Sequence, residues 1–199
     1  MDFSRDSLLK ELENTNVEYK KVIIEYTDNL LKKDLPVIYS LNHFAGILGL
    51  DLSELKTIIH NIDGYYAYYL IKKKHGGKRR IVTPYRNLKM IQTWILHEIL
   101  NKIPVHSQCK GFVKGSNTLQ NAKPHISKQY IRNFDLKDFF ESITIDRVYG
   151  VFLSLGYSTA VSFDLASLCT LKISDYKFEN LSRYKKNYFR YLHVKPQAV

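Results

Sequence analysis

The chain has 199 residues, a formal net charge of +11 and a hydrophobic fraction of 45%. This length and apolar content suffice for a buried core and exclude a disordered chain, and no apolar run reaches the roughly 18 residues of a membrane-spanning helix. The two cysteines, Cys109 and Cys169, are too few for a disulfide framework or a zinc site and favour a cytoplasmic protein. The basic excess favours a polyanionic partner, most often nucleic acid. The lack of a long apolar run predicts that the protein does not span a membrane, and no membrane partner is expected.

The first third of the chain carries helical patterns. Apolar residues recur at helical spacing over 7–33. A second, short helix is predicted over 40–48, where a glycine follows. Asp51 is expected to cap a third helix that extends to about residue 61, with Glu54 completing a capping-box pattern three residues later.

A basic β-hairpin is predicted over 65–84. Aromatic and β-branched residues flank the sequence His75-Gly76-Gly77, which indicates two strands joined by a glycine turn. Basic residues concentrate at this point without an acidic residue among them, so the tip of the hairpin should be strongly positive. The basic residues are Lys72, Lys73, Lys74, Lys78, Arg79, Arg80, Arg86 and Lys89.

The next part of the chain predicts further helices and one strand. Helical periodicity continues over 86–102, and Ser116 is expected to cap a short helix that ends near residue 122. An apolar segment over 129–135 predicts a strand that delivers Asp135 at its end. Two helices are predicted behind it, over 144–155 and 158–171.

The end of the chain, from 172 to 195, is rich in tyrosine and lysine. Cations beside aromatic rings suit single-stranded nucleic acid, because the cations bind phosphates and the rings stack on bases. A solvated lysine-rich surface would have the same composition. The sequence leaves both interpretations open.

Five segments resemble motifs of reverse transcriptases, in the order of that family. The basic hairpin resembles the fingers hairpin, and Asp135 before the aromatic pair Phe139-Phe140 resembles the first catalytic motif. Asn121-Ala122 followed by His125 resembles an element of the retron type. The chain is thereby identified as a member of the retron-type, group II-related bacterial reverse transcriptases. The segments lie at 76–84, 111–116, 121–125, 135–140 and 151–157.

The resemblance implies an α+β fold, namely the fingers and the first half of the palm of a right-hand polymerase, with no thumb. A helical N-terminal region would form the base of the fingers over 1–64. The fingers with the hairpin and a connecting loop would follow over 65–128. A partial palm with the basic aromatic tail would occupy 129–199.

The resemblance also implies RNA-directed DNA synthesis with Mg²⁺ or Mn²⁺. Two such ions activate the primer hydroxyl and stabilise the leaving pyrophosphate, and hard cations of this kind take oxygen ligands. Asp135 is the expected catalytic residue and metal ligand, and the carbonyl group of Leu136 is a second expected metal contact. The expected partners are an RNA template, the RNA–DNA duplex and a deoxynucleoside triphosphate.

Further site residues follow from the same resemblance. Lys74, Lys78 and Arg79 are expected to bind the triphosphate, because Arg offers bidentate geometry and Lys a point charge. Phe140 would be the steric gate beneath the sugar, with Phe139 packed inward and Asp138 hydrogen-bonded beside the nucleotide. The residues expected to bind RNA are Lys72, Lys73, Arg80, Arg86, Asn121 and His125. For Asn121 and His125 the favoured alternative is that they fix the loop beneath the palm.

The chain departs from the family in one respect. The Pro-Gln-Gly motif and the Tyr-x-Asp-Asp turn, which carries the other catalytic carboxylates, are absent. The sequence is therefore expected to be incomplete and inactive alone. A truncated product, a split subunit and a shortened form of the protein remain open, and for a split subunit a second polypeptide would complete the palm and thumb. The alternative function is a noncatalytic RNA-binding module or a split-polymerase subunit in an antiphage defence system.

Overall fold

The structure, a computed structural model, describes residues 16–74, 76–137 and 139–171. These residues form helices and one two-stranded antiparallel sheet, which agrees with the expected α+β class. None of the described helices has the length and apolar character needed to cross a membrane. The elements are α1 (Val17–Leu31), α2 (Leu41–Leu48), α3 (Leu52–His60), β1 (Tyr66–Lys72), β2 (Lys78–Pro84), α4 (Arg86–Glu98), α5 (Thr118–Ala122), α6 (Ile145–Leu155) and α7 (Thr159–Cys169).

Helix ends follow the local chemistry of the sequence where a serine or a glycine marks them. The Ser40 hydroxyl accepts a backbone hydrogen bond of 3.2 Å at the start of α2, and Gly49 ends that helix with φ of 67°. Gly156 ends α6 with φ of 106°, and the Ser158 hydroxyl accepts a backbone hydrogen bond of 3.4 Å at the start of α7. Glycine adopts this left-handed backbone without the clash that a Cβ atom would cause.

Two predicted caps are wrong. Asp51 lies at the start of α3 but its side chain makes no capping bond, and Glu54 instead accepts a 3.0 Å hydrogen bond from the amide of Asn87. Asn117, rather than Ser116, caps α5 through a 2.9 Å bond to a backbone N–H. At α5 the neighbouring Asn117 thus takes the role predicted for Ser116, whereas at α3 the Glu54 carboxylate accepts from Asn87 instead of completing a capping box.

One hydrophobic core joins helices α1 to α4 with α6 and α7. Helix α4 runs through it, because Leu88, Ile91 and Ile95 lie on one face and are fully buried, as is Ile99 directly after the helix. Burying each such side chain contributes about 1.5–3 kcal/mol relative to exposure. The other buried members include Leu30, Leu35, Ile38, Phe44, Leu55, Ile58, Phe152, Tyr157, Val161, Leu165 and Leu168.

Polar contacts join the segment after α1 to the connection between α6 and α7. The Tyr157 hydroxyl donates to the carbonyl oxygen of Pro36 at 2.9 Å, and the Lys33 ammonium donates to the carbonyl oxygen of Leu155 at 2.7 Å. Both partners of each bond lie more than a hundred residues apart in sequence. These bonds therefore fix the tertiary arrangement rather than local structure.

Gln92 on α4 connects the base of the hairpin to α7. Its side-chain nitrogen lies 2.7 Å from the Tyr66 hydroxyl oxygen and 2.8 Å from the carbonyl oxygen of Leu168, and donates to both. Burial raises the pKa of Tyr66, so this hydroxyl stays protonated at neutral pH. The hairpin thus projects from a base that is hydrogen-bonded to the core.

The segment from 104 to 142, called the exposed arm below, lies outside the core. Apart from three half-buried residues, its described residues are exposed, and the rings of Tyr130 and Phe134 are 83% and 89% exposed. The strand predicted to end at Asp135 is not formed, and residues 130–136 are not helical either. A strand is held by hydrogen bonds to a neighbouring strand, and no described segment pairs with this one.

Some predictions fall outside the described residues. They are the start of the first helix before residue 16, the basic aromatic tail from 172, His75 in the hairpin turn, and Asp138.

Candidate functional site

The predicted basic hairpin is present, and its turn is built by glycine. Gly76 and Gly77 have φ of 91° and 81°, a conformation that L side chains rarely adopt. The backbone N–H of Lys73 donates to the carbonyl oxygen of Gly77 at 3.1 Å, which closes the turn. The turn places Lys74 and Lys78 at the tip, where both are exposed.

The register of the two strands divides the cations between two faces. Lys72 pairs with Lys78 directly across the antiparallel ladder, so both side chains lie on one face. Arg80, two residues after Lys78, shares that face. Arg79 pairs with Ile71 and lies on the opposite face. The structure therefore groups Lys78 with two residues predicted to bind RNA rather than with Arg79.

The charge at the tip is not neutralised within the described part of the chain. Like charges directly opposite in a ladder destabilise it, and Lys72 and Lys78 are such a pair. Neither they nor Lys73, Lys74 or Arg79 pair with a carboxylate of a described residue. This arrangement costs stability and leaves positive charge available to phosphates.

The remaining predicted RNA-binding residues lie at two other places. Arg86 begins α4 directly after the hairpin and is exposed. Asn121 lies at the end of α5, and His125 lies in the 3₁₀ turn that follows. Both side chains are exposed and neither hydrogen-bonds to a described residue, so the structure gives no support for the predicted loop-fixing role.

Asp135 lies in the exposed arm, and the side chain of Leu136 beside it is 69% exposed. Within the described ranges no group of three or more His, Cys, Asp or Glu side chains comes close enough to hold a metal ion. A free carboxylate fits as one oxygen ligand of a hard cation. Two ions need further ligands, and the described residues do not gather a complete metal site around Asp135.

An aromatic contact joins two of the predicted motifs. The ring centroids of Phe112 and Phe140 lie 5.9 Å apart with an interplanar angle of 84°, and those of Phe139 and Phe140 lie 5.4 Å apart at 69°. Phe139 was predicted to pack inward, but its side chain is 48% exposed, and it belongs to none of the buried clusters of the described residues. The segment 111–116 thus contacts the segment that follows Asp135.

Phe112 has a backbone conformation that the sequence did not predict. Its φ is 58°, a left-handed value that costs a residue other than glycine on the order of 1–3 kcal/mol and is an outlier for a bulky one. An edge-to-face ring contact stabilises the protein by about 0.5–1.5 kcal/mol and so offsets part of this strain. The ring is 80% exposed, so burial adds little. Gly111 and Gly115 indicate a turn here, but nothing in the pattern identifies the phenylalanine.

The two parts of the site are not joined by direct contacts. Among the described residues, Lys74, Lys78 and Arg79 make no hydrogen bond, ion pair or ring contact with Asp135 or Phe140. The structure therefore presents a positive hairpin and an aromatic segment with a carboxylate as separate surfaces.

Comparison with known proteins places the chain in a family. No protein-family model matches it. Retron Ec86 reverse transcriptase of Escherichia coli is 38% identical over 148 residues, which cover 73% of this chain and 46% of that protein. Retron Mx65 reverse transcriptase of Myxococcus xanthus is 35% identical over 145 residues, which cover 71% of this chain and 34% of that protein. Retron Mx162 reverse transcriptase of the same organism is 35% identical over 135 residues, which cover 66% of this chain and 28% of that protein.

The chain spans less than half the length of these curated relatives. Because 73% of this chain is matched to the Escherichia coli protein, the aligned stretch must include the middle of this chain, from the hairpin to Phe140. The matched part is therefore a reverse transcriptase sequence. Within that class the chain belongs to the retron type, which confirms the family predicted from its motifs.

Proposed function

We propose that this chain supplies the phosphate-holding fingers and the first catalytic carboxylate of an RNA-directed DNA polymerase of the retron type. The observation that carries the proposal is the hairpin tip, where Lys72 and Lys78 face each other without carboxylate partners among the described residues. Such a pair is unfavourable in the free protein, and bound phosphates, of the template at Lys72 and of the triphosphate at Lys78, would remove the repulsion between the two ammonium groups.

The hairpin cations bind the template and the incoming triphosphate in this proposal. Lys72, Lys73, Arg80 and Arg86 contact the phosphates of the RNA template. Lys74, Lys78 and Arg79 contact the triphosphate, with Arg79 able to make two parallel hydrogen bonds to one phosphate group. Each neutralised phosphate releases counterions, so binding weakens as salt rises. Asn121 and His125 contribute to template binding from the exposed arm.

The segment after the hairpin provides the catalytic groups. Asp135, with the carbonyl oxygen of Leu136, would hold Mg²⁺ or Mn²⁺, which supplies charge stabilisation for the displacement at phosphorus. The ring of Phe140 lies beneath the sugar and excludes a 2′-hydroxyl group. Phe139 contacts the nucleotide in this proposal, and the same role is proposed for Asp138, which lies outside the described residues. The further carboxylates come from a part of the protein outside the described residues or from a second polypeptide.

A primer-extension assay tests the proposal. The purified chain is incubated with an RNA template, a DNA primer and deoxynucleoside triphosphates, with and without the product of any downstream reading frame. Asp135→Asn should abolish extension and leave RNA binding intact, because the amide keeps the shape but loses the negative charge. Asp146→Asn, which removes an exposed charge in the first turn of α6, is the matched control.

The same assay separates the polymerase from the alternative. Extension by the unaltered protein and its loss in Asp135→Asn support the proposal. Near-normal extension by Asp135→Asn contradicts the assigned role of this carboxylate. If the chain binds the RNA–DNA duplex but does not extend the primer, whether or not a second polypeptide is added, it is instead a noncatalytic RNA-binding protein.

A further inference from the structure

We propose that Phe112 is an additional nucleotide-binding residue, which forms with Phe140 an apolar corner for the sugar and base of the incoming deoxynucleoside triphosphate. The inference deepens the proposed function and depends on it. It assigns a role to a segment, 111–116, that the proposed function leaves without one.

The backbone of Phe112 carries the first part of the evidence. Three described residues other than glycine have positive φ: Asp34, Phe112 and Ser127. Aspartate often adopts this conformation and serine is small, whereas a bulky aromatic residue is disfavoured there. Strain of this kind persists where the surrounding structure enforces it, and it concentrates at binding sites. The conformation holds the ring in solvent, where it is 80% exposed.

The geometry of the two rings carries the second part. The planes of Phe112 and Phe140 meet at 84° with centroids 5.9 Å apart, so they form two walls of a corner. Phe140 is 57% exposed, which leaves apolar surface on both walls open. The base and the sugar of a nucleoside also lie roughly at right angles to each other. A base can therefore stack on Phe112 while the sugar packs against Phe140.

The chemistry of the corner favours a nucleotide over an apolar protein partner. Aromatic side chains bind bases by stacking, which every base allows. Phe140, one wall of the corner, follows Asp135 closely in sequence, and Lys72, Lys74 and Lys78 of the hairpin pair with no carboxylate of a described residue. The strain at Phe112 is not compensated by burial in the free protein, and contact with a nucleoside would compensate it.

Calorimetric titration of the full chain tests this inference. The probes are dGTP and inorganic tripolyphosphate, each with Mg²⁺ and an RNA–DNA primer–template duplex present. Phe112→Ala should weaken dGTP binding about tenfold, the loss expected for one stacked base, and leave tripolyphosphate binding unchanged. Phe134→Ala is the matched control, because this ring is also exposed, at 89%, but has no positive φ and no ring contact with a described residue.

A second variant separates binding from folding. Phe112→Gly removes the backbone strain, so it should raise the melting temperature while weakening dGTP binding as much as Phe112→Ala does. Ser127→Gly relieves a positive φ of 61° elsewhere in the arm and should leave dGTP binding unchanged.

The outcomes are distinct. Failure of the unaltered chain to bind dGTP contradicts the proposed function and this inference with it. Tight dGTP binding that Phe112→Ala leaves unchanged overturns the inference alone. An equal loss of dGTP and tripolyphosphate binding in Phe112→Ala also overturns it, because the ring would then be structural.

Discussion

The core and the exposed arm differ in what their apolar side chains do. In the core, Ile91 and Ile95 on α4 are fully buried against other helices. In the arm, Ile131 and Phe134 are 55% and 89% exposed. The arm nevertheless carries Asp135 and Phe139-Phe140, the residues of the proposed catalytic motif. Stability and the proposed chemistry therefore reside in different parts of the chain, and a substitution can alter one without the other.

The strongest test of this separation is one substitution made in both regions. Ile91→Ala should lower the free energy of unfolding by about 2–5 kcal/mol, because it leaves a cavity in a packed core. Ile131→Ala removes the same atoms from the exposed arm and should change the free energy of unfolding by about 0.5 kcal/mol or less. Urea denaturation measures both. A large loss from Ile131→Ala would show that the arm packs on a part of the protein beyond the described residues.

A smaller effect is expected where α4 holds the base of the hairpin. Gln92→Leu should lower the free energy of unfolding by about 1–3 kcal/mol, since the Tyr66 hydroxyl and the Leu168 carbonyl lose a shared donor. Gln108→Leu in the exposed arm provides the comparison and should be close to neutral. If both variants unfold at the same denaturant concentration, the hydrogen bonds of Gln92 do not anchor the hairpin.

A pH-dependent effect is expected at Asp164 on α7. Burial raises its pKa, so its charged form is disfavoured in the folded protein. The stability that this group contributes is greatest when it is protonated and declines as pH rises through the folded-state pKa. Asp164→Asn should therefore melt at a higher temperature than the unaltered chain near pH 7, with a difference that shrinks toward about pH 4. A difference that grows on acidification would contradict the assigned cause.

The smallest effect on stability is expected at the hairpin, together with a clear effect on binding. Lys78→Ala removes a like-charge pair with Lys72 and should leave the melting temperature equal or slightly higher. RNA binding should lose about one unit of salt dependence for each template phosphate contact removed. The triple replacement of Lys72, Lys73 and Arg86, which the proposal assigns to the template, should therefore lose about three units. Lys21→Ala on α1 is the control, and an unchanged slope in the triple variant would place RNA binding elsewhere.

The sequence predicted those parts of the fold that are determined locally. The hairpin followed from Gly76-Gly77 between two β-branched and aromatic runs, and both strands form as expected. The ends of α2 and α6 followed from Gly49 and Gly156, because a helix commonly ends at a glycine with positive φ. Such features depend on a few neighbouring residues, so a single sequence contains the information.

The failures concern features that depend on distant residues. The strand before Asp135 requires a neighbouring strand, and a single apolar run cannot show whether one is present. Glu54 fitted a capping box, but the sequence could not show that Asn87 would compete for it. The site residues in the hairpin and the arm were named from motifs. Their division between two faces became visible only from the strand register, and the Phe112 contact only from the tertiary structure.

The hydrogen bonds of Tyr157 and Lys33 across the core have a consequence for a cleaved chain. The buried elements lie on both sides of the exposed arm in sequence, and these bonds, with the packing around α4, join the two sides without using the arm. A protease that nicks an exposed site between 104 and 142 would therefore leave two fragments that stay together. The continuity of the polypeptide and the integrity of the core are separate properties of this molecule.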